Sequence, residues 1–254
     1  MGQLNNRRAV VTGGSRGLGL GLVEALVAEG AEVTVVARDQ GELEALKARL
    51  GVSIVAADIT EDGIAERVLT RFRPDILALN AGAIPPMGSL IDIEWEDFSR
   101  TWNVDVKAGL AWMKAALTLP LMPGSRVLAA SSGAAIGGSP LSGGYAGAKR
   151  MLWIMAKYAN GLAQEKQLGI RFQTIVPMQM VAGTGVGDQG AAGYAGKRGV
   201  TVQQFFAANY PEPFAPADFG RQVVSVLTDP HYDNGAAFGL KGGQDILTLE
   251  EMAA

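Results

Sequence analysis

Short apolar segments alternate with longer segments of helical periodicity along most of the chain. The apolar segments have the length and uniform hydrophobicity of strands that are buried on both faces. The predicted strands are residues 9–12, 32–37, 52–56, 76–79, 127–131 and 170–176, and residues 235–249 can supply a closing strand. The predicted helices are residues 17–29, 42–50, 95–119, 145–167 and 216–227. This alternation predicts an α/β fold with a doubly wound parallel sheet of six or seven strands.

Periodicity is lost between residues 178 and 215, where glycine and alanine are frequent. A loop of this length inside a compact domain is usually functional, although a tolerated surface insertion is the alternative. We expect residues 178–215 to form a mobile lid over a substrate pocket. No linker or repeat divides the sequence, so residues 1–254 are predicted to form a single domain.

Composition favours a folded protein with a small-molecule partner. Hydrophobic residues make up 48% of the 254 residues, which is enough for a large core. The net charge of −3, with scattered Lys and Arg, argues against a nucleic-acid partner. Without cysteine and with one histidine, His231, no metal site is expected. Residues 1–8 lack a signal-peptide core and no apolar run of about 18 residues occurs, so we expect a cytoplasmic protein without a membrane partner.

A glycine-rich motif, TGGSRGLG, occupies residues 12–19 between the first predicted strand and the first predicted helix. Glycines in this position permit a tight turn and a close approach of the backbone to phosphates, and the helix N-terminus attracts a pyrophosphate. Flexible-loop glycines are the alternative, which the strand-before and helix-after context disfavours. The predicted nucleotide-binding residues of the motif are Gly13, Ser15, Arg16, Gly17, Leu18 and Gly19.

Two arginines near this motif favour NADP(H) over NAD(H). Arg38 follows the second predicted strand, where an NAD-specific site has a carboxylate for the ribose 2′-hydroxyl. Arg16 lies within the glycine motif, so both cations can reach a 2′-phosphate. The alternatives are that either arginine is a solvated surface charge and that the neighbouring Asp39 serves a ribose.

Further motifs resemble those of the short-chain dehydrogenase/reductase family, from about Arg8 to the final predicted strand. Residues 12–19 match the family form TGxxxGxG, and Tyr145 and Lys149 match its YxxxK pair. Ser132 lies 13 residues before Tyr145, the family spacing for a catalytic serine. The resemblance implies a Rossmann-type fold and the oxidation or reduction of a small-molecule alcohol or carbonyl with NAD(P)(H).

The resemblance also implies the remaining cofactor contacts. Tyr145 and Lys149 are expected to contact the cofactor as well as to act in catalysis. The other expected cofactor-binding residues are Asp58 and Ile59 near the adenine, Asn80, Ala81 and Gly82 after the fourth strand, and Pro177 and Thr184 after the sixth.

The chemistry of Ser132, Tyr145 and Lys149 supports the same reading. Positions i and i+4 share one face of a helix, so Tyr145 and Lys149 are expected to face the same cleft. A phenol exchanges protons poorly near neutral pH, and a neighbouring ammonium stabilises its phenolate form. Ser132 can donate a hydrogen bond to a substrate oxygen on which negative charge develops.

The sequence departs from the family pattern in three places, one of which, Lys241-Gly242-Gly243 near the position of the usual Asp-Gly-Gly, bears on subunit contacts more than on chemistry. The family's fourth catalytic residue is an asparagine, and Asp105 occupies that position here, with Asn103 as the candidate if the register slips. Asp105 is expected to hold a water near Lys149. After the sixth strand Met178 replaces the family glycine, and Ala182 falls where the family has a threonine, so Thr184 needs a longer loop to reach the cofactor.

The expected substrate pocket is apolar and favours a hydrophobic ketone or aldehyde. Its predicted lining is Ala134, Ile136, Leu141, Ile84, Met87, Met178, Met180, Val181, Phe205 and Phe206. A 3-oxoacyl-carrier-protein reductase and a non-catalytic NADP(H)-binding regulator are the alternatives. The resemblance also implies a homodimer or homotetramer built from the two long helices that contain Trp112 and Trp153.

Overall fold

The computed structural model of the protein describes residues 2–119 and 121–249. Eight strands form one sheet in the order β3-β2-β1-β4-β5-β6-β7-β8, parallel except for the last pair. The strands are β1 (Arg8–Thr12), β2 (Glu32–Ala37), β3 (Ser53–Ala56), β4 (Ile76–Leu79), β5 (Arg126–Ala130), β6 (Arg171–Pro177), β7 (Ala237–Leu240) and β8 (Leu247–Thr248). The predicted Rossmann-type sheet is confirmed, with one strand more than expected because residues 235–249 supply two short strands.

Helices cover both faces of this sheet. They are α1 (Gly17–Ala28), α2 (Gln40–Leu50), α3 (Ile64–Phe72), α4 (Trp95–Thr101), α5 (Lys107–Thr118), α6 (Ala134–Gly137), α7 (Tyr145–Glu165), α8 (Gly185–Arg198), α9 (Val202–Asn209) and α10 (Pro216–Thr228). The periodicity above does not predict α3, although its buried residues fall on one side of the helix. Within the described residues, no helix combines the length and the hydropathy that a membrane span requires.

Two hydrophobic cores explain why the strands are apolar throughout. Successive residues of a strand point to opposite faces, and both Val10 and Val11 are fully buried. Val11 packs in a core with α1, α2 and α10, whereas Val10 packs in a core with α3, α5 and α7. The double coverage leaves the carboxyl ends of the parallel strands as the edge where a ligand can bind.

The segment predicted as a long loop, residues 178–215, contains two helices, and that part of the prediction was wrong. Thr184 caps α8 by accepting a hydrogen bond from the amide of Gly187, and Thr201 forms a capping box with Gln204 at the start of α9. Gly199 then ends α8 in the left-handed conformation. Cap residues therefore mark both helices, even though their apolar periodicity is weak.

The glycines of α8 reflect close packing against its neighbours. A β-carbon on Gly193 would lie 2.6 Å from Cε of Met87, and one on Gly187 would overlap the carbonyl oxygen of Val181. Glycine normally destabilises a helix interior by about 1 kcal/mol, and here it allows α8 to approach the rest of the molecule. Gly187 and Gly193 are therefore explained by tertiary contacts, which local sequence patterns do not report.

The helix predicted over residues 95–119 is interrupted by a π-turn, Trp102–Val106, between α4 and α5. Single π-turns inside helices are rare and frequently occur at functional sites. This one contains Asp105, whose side chain is fully buried. The interruption changes the direction in which Asp105 points and places it beside α7.

Candidate active site

A cavity of about 1250 Å³ lies along the carboxyl ends of β1, β2, β4, β5 and β6. It extends from the glycine motif to the start of α7, so one continuous space connects the two groups of predicted residues. Among the described residues, Asp105 is the one predicted site residue outside the lining. The predicted residues in the lining are Gly13, Ser15, Arg16, Gly17, Leu18, Gly19, Arg38, Asp58, Ile59, Asn80, Ala81, Gly82, Ser132, Tyr145, Lys149, Pro177 and Thr184.

The glycine motif forms a tight turn directly against the start of α1. Gly13 and Gly17 have φ values of 66° and 56°, in the left-handed region that favours glycine. A β-carbon on Gly19 would overlap the carbonyl oxygen of Gly13. Arg16 occupies the N-cap position, and no described side chain caps the first turn of α1. The amide groups of that turn are therefore suited to an anion, as the pyrophosphate of a dinucleotide requires.

Thr12 and Asn80 hold the turn in place. Oγ1 of Thr12 accepts hydrogen bonds from the amides of Asn80 and Ala81, at 3.0 and 3.1 Å. Nδ2 of Asn80 donates to the carbonyl oxygens of Thr12 and Gly13, both at 3.3 Å. Since these bonds join the ends of β1 and β4, Asn80 acts on the glycine motif from the neighbouring strand.

The predicted adenine end of the cavity is formed after β3. Hydrogen bonds from the hydroxyl and the amide of Thr60 to Oδ1 of Asp58 lower the pKa of that carboxyl group. The next residue, Ile59, accepts a 3.1 Å hydrogen bond at its carbonyl oxygen from the buried Trp112. These bonds connect the wall of the cavity to α5 and keep Asp58 charged near neutral pH.

The region of Arg16 and Arg38 contains a carboxylate that sequence reasoning missed. Glu42, in the first turn of α2, lines the same cavity and accepts a hydrogen bond from Oγ of Ser15. Its Oε1 lies 4.0 Å from Arg16, whose side chain is 67% exposed. Asp39 caps α2 by accepting a 2.8 Å hydrogen bond from the amide of Glu42. A capping pattern was readable at Asp39 and Glu42, but its contact with the glycine motif was not.

Tyr145 and Lys149 both face the cavity from the first two turns of α7, as predicted from their spacing. Nζ of Lys149 lies 5.8 Å from the centre of the Tyr145 ring and donates a 3.3 Å hydrogen bond to the carbonyl oxygen of Ala130. Oγ of Ser131 donates to the carbonyl oxygen of Lys149 at 2.8 Å, which fixes α7 against β5. Ser132 follows in the chain and lines the cavity.

Asp105 forms a buried ion pair with Lys149. Oδ2 of Asp105 lies 3.0 Å from Nζ of Lys149, and the exposed fractions of the two side chains are 0% and 8%. Oδ1 accepts a 2.7 Å hydrogen bond from the amide of Ala83. Burial, the largest single influence, lowers the pKa of Lys149, but attraction to the Asp105 carboxylate, the interaction with Tyr145 and the hydrogen bond to Asp105 together outweigh it, so the pKa lies above its ordinary value.

Asn103 is placed elsewhere. Its Nδ2 donates a 3.2 Å hydrogen bond to Oγ of Ser99, one turn earlier. Of the two residues considered for the fourth family position, Asp105 is therefore the one that contacts Lys149. That contact is direct. The amide of Ala83 is a further partner, and no side-chain motif could have identified it.

The side chain of Met178 fits at the end of β6 because a glycine of β7 leaves space for it. A β-carbon on Gly239 would lie 3.4 Å from Sδ of Met178, so the methionine side chain packs over a glycine of β7. Thr184 caps α8 and lies opposite Gly17, whose β-carbon would be 3.5 Å from Cγ2 of the threonine. Thr184 thereby reaches the glycine motif, although it falls two residues after the family position.

Comparison with known sequences decides the family. The sequence model described as short chain dehydrogenase matches residues 7–189, more than half of the chain. The protein belongs to the short-chain dehydrogenase family. Enzymes of this family use NAD(H) or NADP(H).

The protein is similar to several curated relatives. It is 31% identical over 177 residues to a short chain dehydrogenase of Pseudocercospora fijiensis, covering 65% of this chain and 56% of the relative. It is 34% identical over 106 residues to human L-xylulose reductase, covering 41% and 43%. A galactitol 2-dehydrogenase of Agrobacterium fabrum is 29% identical over 183 residues, covering 69% and 71%. The chain thus spans about half the length of the first two relatives.

A solved structure of a short chain dehydrogenase/reductase family protein has the same fold. It aligns with a TM-score of 0.73 at 22% identity and covers 94% of this chain and 97% of its own. The close coverage includes the part of the chain beyond residue 189.

The end of the cavity predicted to hold the substrate is more polar than expected. Ile84, Met87, Ala134, Ile136, Met178, Met180, Val181 and Phe205 line the cavity as expected, whereas Leu141 and Phe206 are not part of its lining. Additional lining residues, which sequence reasoning missed, are Ser139, Tyr194, Asn209 and Tyr210; Arg198, considered from the sequence as a candidate anchor but expected to be solvated, lines the cavity as well. Most of them belong to the segment predicted as a loop, so no helical face could be assigned to them beforehand.

The segment of α8 and α9 has its own small aromatic core. Tyr194 and Phe205 stack with ring centres 6.2 Å apart, and Tyr210 packs edge-on against Phe205. The hydroxyl of Tyr194 lies 2.9 Å from Oγ of Ser139, which follows α6 on the opposite wall of the cavity. The same hydroxyl accepts a longer, 3.5 Å hydrogen bond from the amide of Leu141, so Tyr194 joins the two walls across this end of the cavity.

Proposed function

We propose that the protein is an NADPH-dependent oxidoreductase that reduces a hydrophobic ketone or aldehyde to an alcohol, or catalyses the reverse reaction. The observation that carries this proposal is the joining of the glycine motif with Ser132, Tyr145 and Lys149 in one cavity. A protein that only bound a dinucleotide would need the glycine motif but no buried tyrosine and lysine beside a serine. The names of the relatives, a reductase and dehydrogenases of small polyols or diols, support the same reaction type.

Each residue of the proposed site has a separate role in carbonyl reduction. The glycine motif, Asn80 and Thr184 would hold the cofactor, which supplies a hydride to the carbonyl carbon when bound. Tyr145 donates its phenolic proton to the carbonyl oxygen, and Ser132 donates a hydrogen bond to the same oxygen as negative charge develops on it. Lys149 stabilises the phenolate that remains, since its ammonium lies beside the ring.

The preference for NADPH rests on Arg16 and Arg38, which line the cavity beside the glycine motif. Asp39, the candidate for a ribose hydroxyl, already uses its side chain to cap α2. We expect Arg38→Gln to weaken NADPH binding at least tenfold, because one of two cations is lost, and to leave NADH binding within about twofold. Comparable affinities of the unaltered protein for the two cofactors would contradict the preference.

Turnover tests the reaction itself. NADPH oxidation is followed with ketones, aldehydes and acyl thioesters, for the unaltered protein and for Tyr145→Phe. We expect turnover that falls at least a hundredfold in the variant while NADPH affinity is kept. Turnover of acyl thioesters alone would favour the 3-oxoacyl-carrier-protein reductase. Tight NADPH binding with no turnover on any compound would favour the regulator.

The lid, the single domain, the cytoplasmic location and the oligomer are parts of the same proposal. The aromatic core of α8 and α9 and their place over the cavity support a lid in residues 178–215. Leu110 on α5 and Tyr158 and Leu162 on α7 are 60%, 63% and 44% exposed, which supports an interface on these two helices. Trp112, in contrast, is buried within the chain. Light scattering on Leu110→Lys would test the interface through the loss of a dimer or tetramer.

A further inference from the structure

The ion pair between Asp105 and Lys149 changes the charge that Tyr145 experiences. A lone ammonium beside a phenol stabilises the phenolate, which makes the phenol a stronger acid. Here a carboxylate lies 3.0 Å from that ammonium, with its side chain fully buried. The carboxylate is held in place by the amide of Ala83, and it fits because residue 82 is glycine. Opposite charges so close together largely cancel at a third group.

We propose that Asp105 is a positioning residue that offsets the charge of Lys149 and thereby keeps Tyr145 protonated at higher pH than Lys149 alone would allow. The inference rests on the proposed function, in which Tyr145 is the proton donor. A phenol that stays protonated is ready to donate, so the pair favours carbonyl reduction over alcohol oxidation near neutral pH. Asparagine at this position would keep the shape and the acceptor for Ala83 but would leave the lysine charge uncompensated.

Other charged groups of the cavity lie away from the pair. Arg16, Arg38, Asp39, Glu42 and Asp58 line the cofactor end, and Arg100 and Arg198 line the substrate end. Arg100 is itself paired with Asp97. Within the described residues, Asp105 is therefore the one carboxylate in contact with Lys149, and Lys149 is the cation next to the Tyr145 ring.

A titration of tyrosinate absorbance tests the proposal without a substrate. The curve of the same protein carrying Tyr145→Phe is subtracted from the curve of each protein, which isolates Tyr145 from the other four tyrosines. We expect Asp105→Asn to move the Tyr145 midpoint to lower pH by about one unit, from the Coulomb energy of one charge several ångströms away. Glu66→Gln, on the exposed side of α3, is the matched control for the loss of one carboxylate and should leave the midpoint in place.

An unchanged or raised midpoint in Asp105→Asn would overturn the proposal. If that variant does not fold, the double variant Asp105→Asn/Lys149→Met removes both charges and leaves no buried ion. Since the two charges largely offset each other, its midpoint should equal or exceed that of the unaltered protein, and a lower one would overturn the proposal.

The pH dependence of turnover supplies a second readout once a substrate is found. Reductase activity is lost at high pH, and in Asp105→Asn this loss should begin about one pH unit lower than in the unaltered protein. Alcohol oxidation should likewise begin at about one pH unit lower in the variant. If Asp105 had only a structural role, Asp105→Asn would lose activity equally at every pH, and that result would also overturn the proposal. Absence of turnover with every carbonyl would instead refute the proposed function and leave the tyrosinate titration as the test of the ion pair.

Discussion

Glu42 accepts a 2.7 Å hydrogen bond from Oγ of Ser15, and its second carboxylate oxygen lies 4.0 Å from Arg16. The Glu42 carboxylate therefore connects the first turn of α2 to the glycine motif and brings a negative charge beside it. That charge lines the same cavity as Arg38, in the region proposed for the 2′-phosphate of NADPH. Two arginines favour the phosphate there, and Glu42 opposes it.

Replacing this carboxylate should strengthen NADPH binding. We expect Glu42→Gln to lower the dissociation constant for NADPH about three- to tenfold, because repulsion of the phosphate is removed and Arg16 is released. NADH, which lacks the phosphate, should change by less than about twofold. Fluorescence titration of both cofactors measures this, with Glu44→Gln on the exposed face of α2 as the control. An equal gain for both cofactors would contradict a role in discrimination.

Gly82 is predicted to be required for the position of Asp105. A β-carbon on Gly82 would lie 2.6 Å from Oδ2 of Asp105, so alanine must displace the carboxylate from Lys149. We expect Gly82→Ala to cost about 1 to 3 kcal/mol of unfolding free energy and to reduce turnover. Gly196→Ala is the control, since a β-carbon there would meet nothing within 4 Å. Equal stability of the two variants would show that the site relaxes around the added methyl group.

Because the pKa of Lys149 is raised in the folded protein, the free energy of unfolding is expected to fall as pH rises in the alkaline range. A group with a higher pKa in the folded state stabilises the fold fully below its unfolded pKa, here 10.5, and this contribution is lost as pH rises through the folded value. We expect the unaltered protein to lose stability relative to Asp105→Asn/Lys149→Met as pH rises above the unfolded pKa of 10.5 toward the higher folded value. Urea unfolding at several pH values measures the difference. Parallel stability curves for the two proteins would refute the linkage.

Breaking the pair on one side should be more severe. Lys149→Met leaves the Asp105 carboxylate buried without its cation, and we expect a loss of about 3 to 5 kcal/mol in unfolding free energy. The double variant should recover most of that loss, because a neutral pair of similar volume replaces the ions. A double variant as unstable as Lys149→Met would show that packing and not charge sets the cost.

The contact between Tyr194 and Ser139 is expected to hold the lid against the opposite wall. Tyr194→Phe keeps the stacking with Phe205 and removes the 2.9 Å hydrogen bond. We expect KM to rise about three- to tenfold with little change in kcat, since about 1 kcal/mol of closure is lost. Ser139→Ala should have the same effect, and the two changes should not add in the double variant. Additive effects would mean that the two hydroxyls act separately.

The fold followed from local patterns because doubly covered parallel strands must be apolar throughout and their helices must follow at regular intervals. The strand predicted at residues 32–37 and the helix predicted from Tyr145 agree with the structure at those boundaries. The i, i+4 spacing of Tyr145 and Lys149 was likewise sufficient to place them on one side of α7. These features depend on residues that are close in sequence, so the regular backbone geometry of strands and helices is enough to predict them.

Contacts between distant segments required the tertiary structure. In α8, Gly193 and Gly187 allow the close approach of Met87 and Val181, whereas local propensity alone predicted a loop over residues 178–215. The family resemblance placed Asp105 near Lys149, but the direct contact of these two charges, 44 positions apart in the sequence, is seen only where the π-turn packs against α7. The sequence by itself determined which chemical groups the site contains; the packing of distant segments decided which of those groups meet, because the field of a charge depends on distance in space and not along the chain.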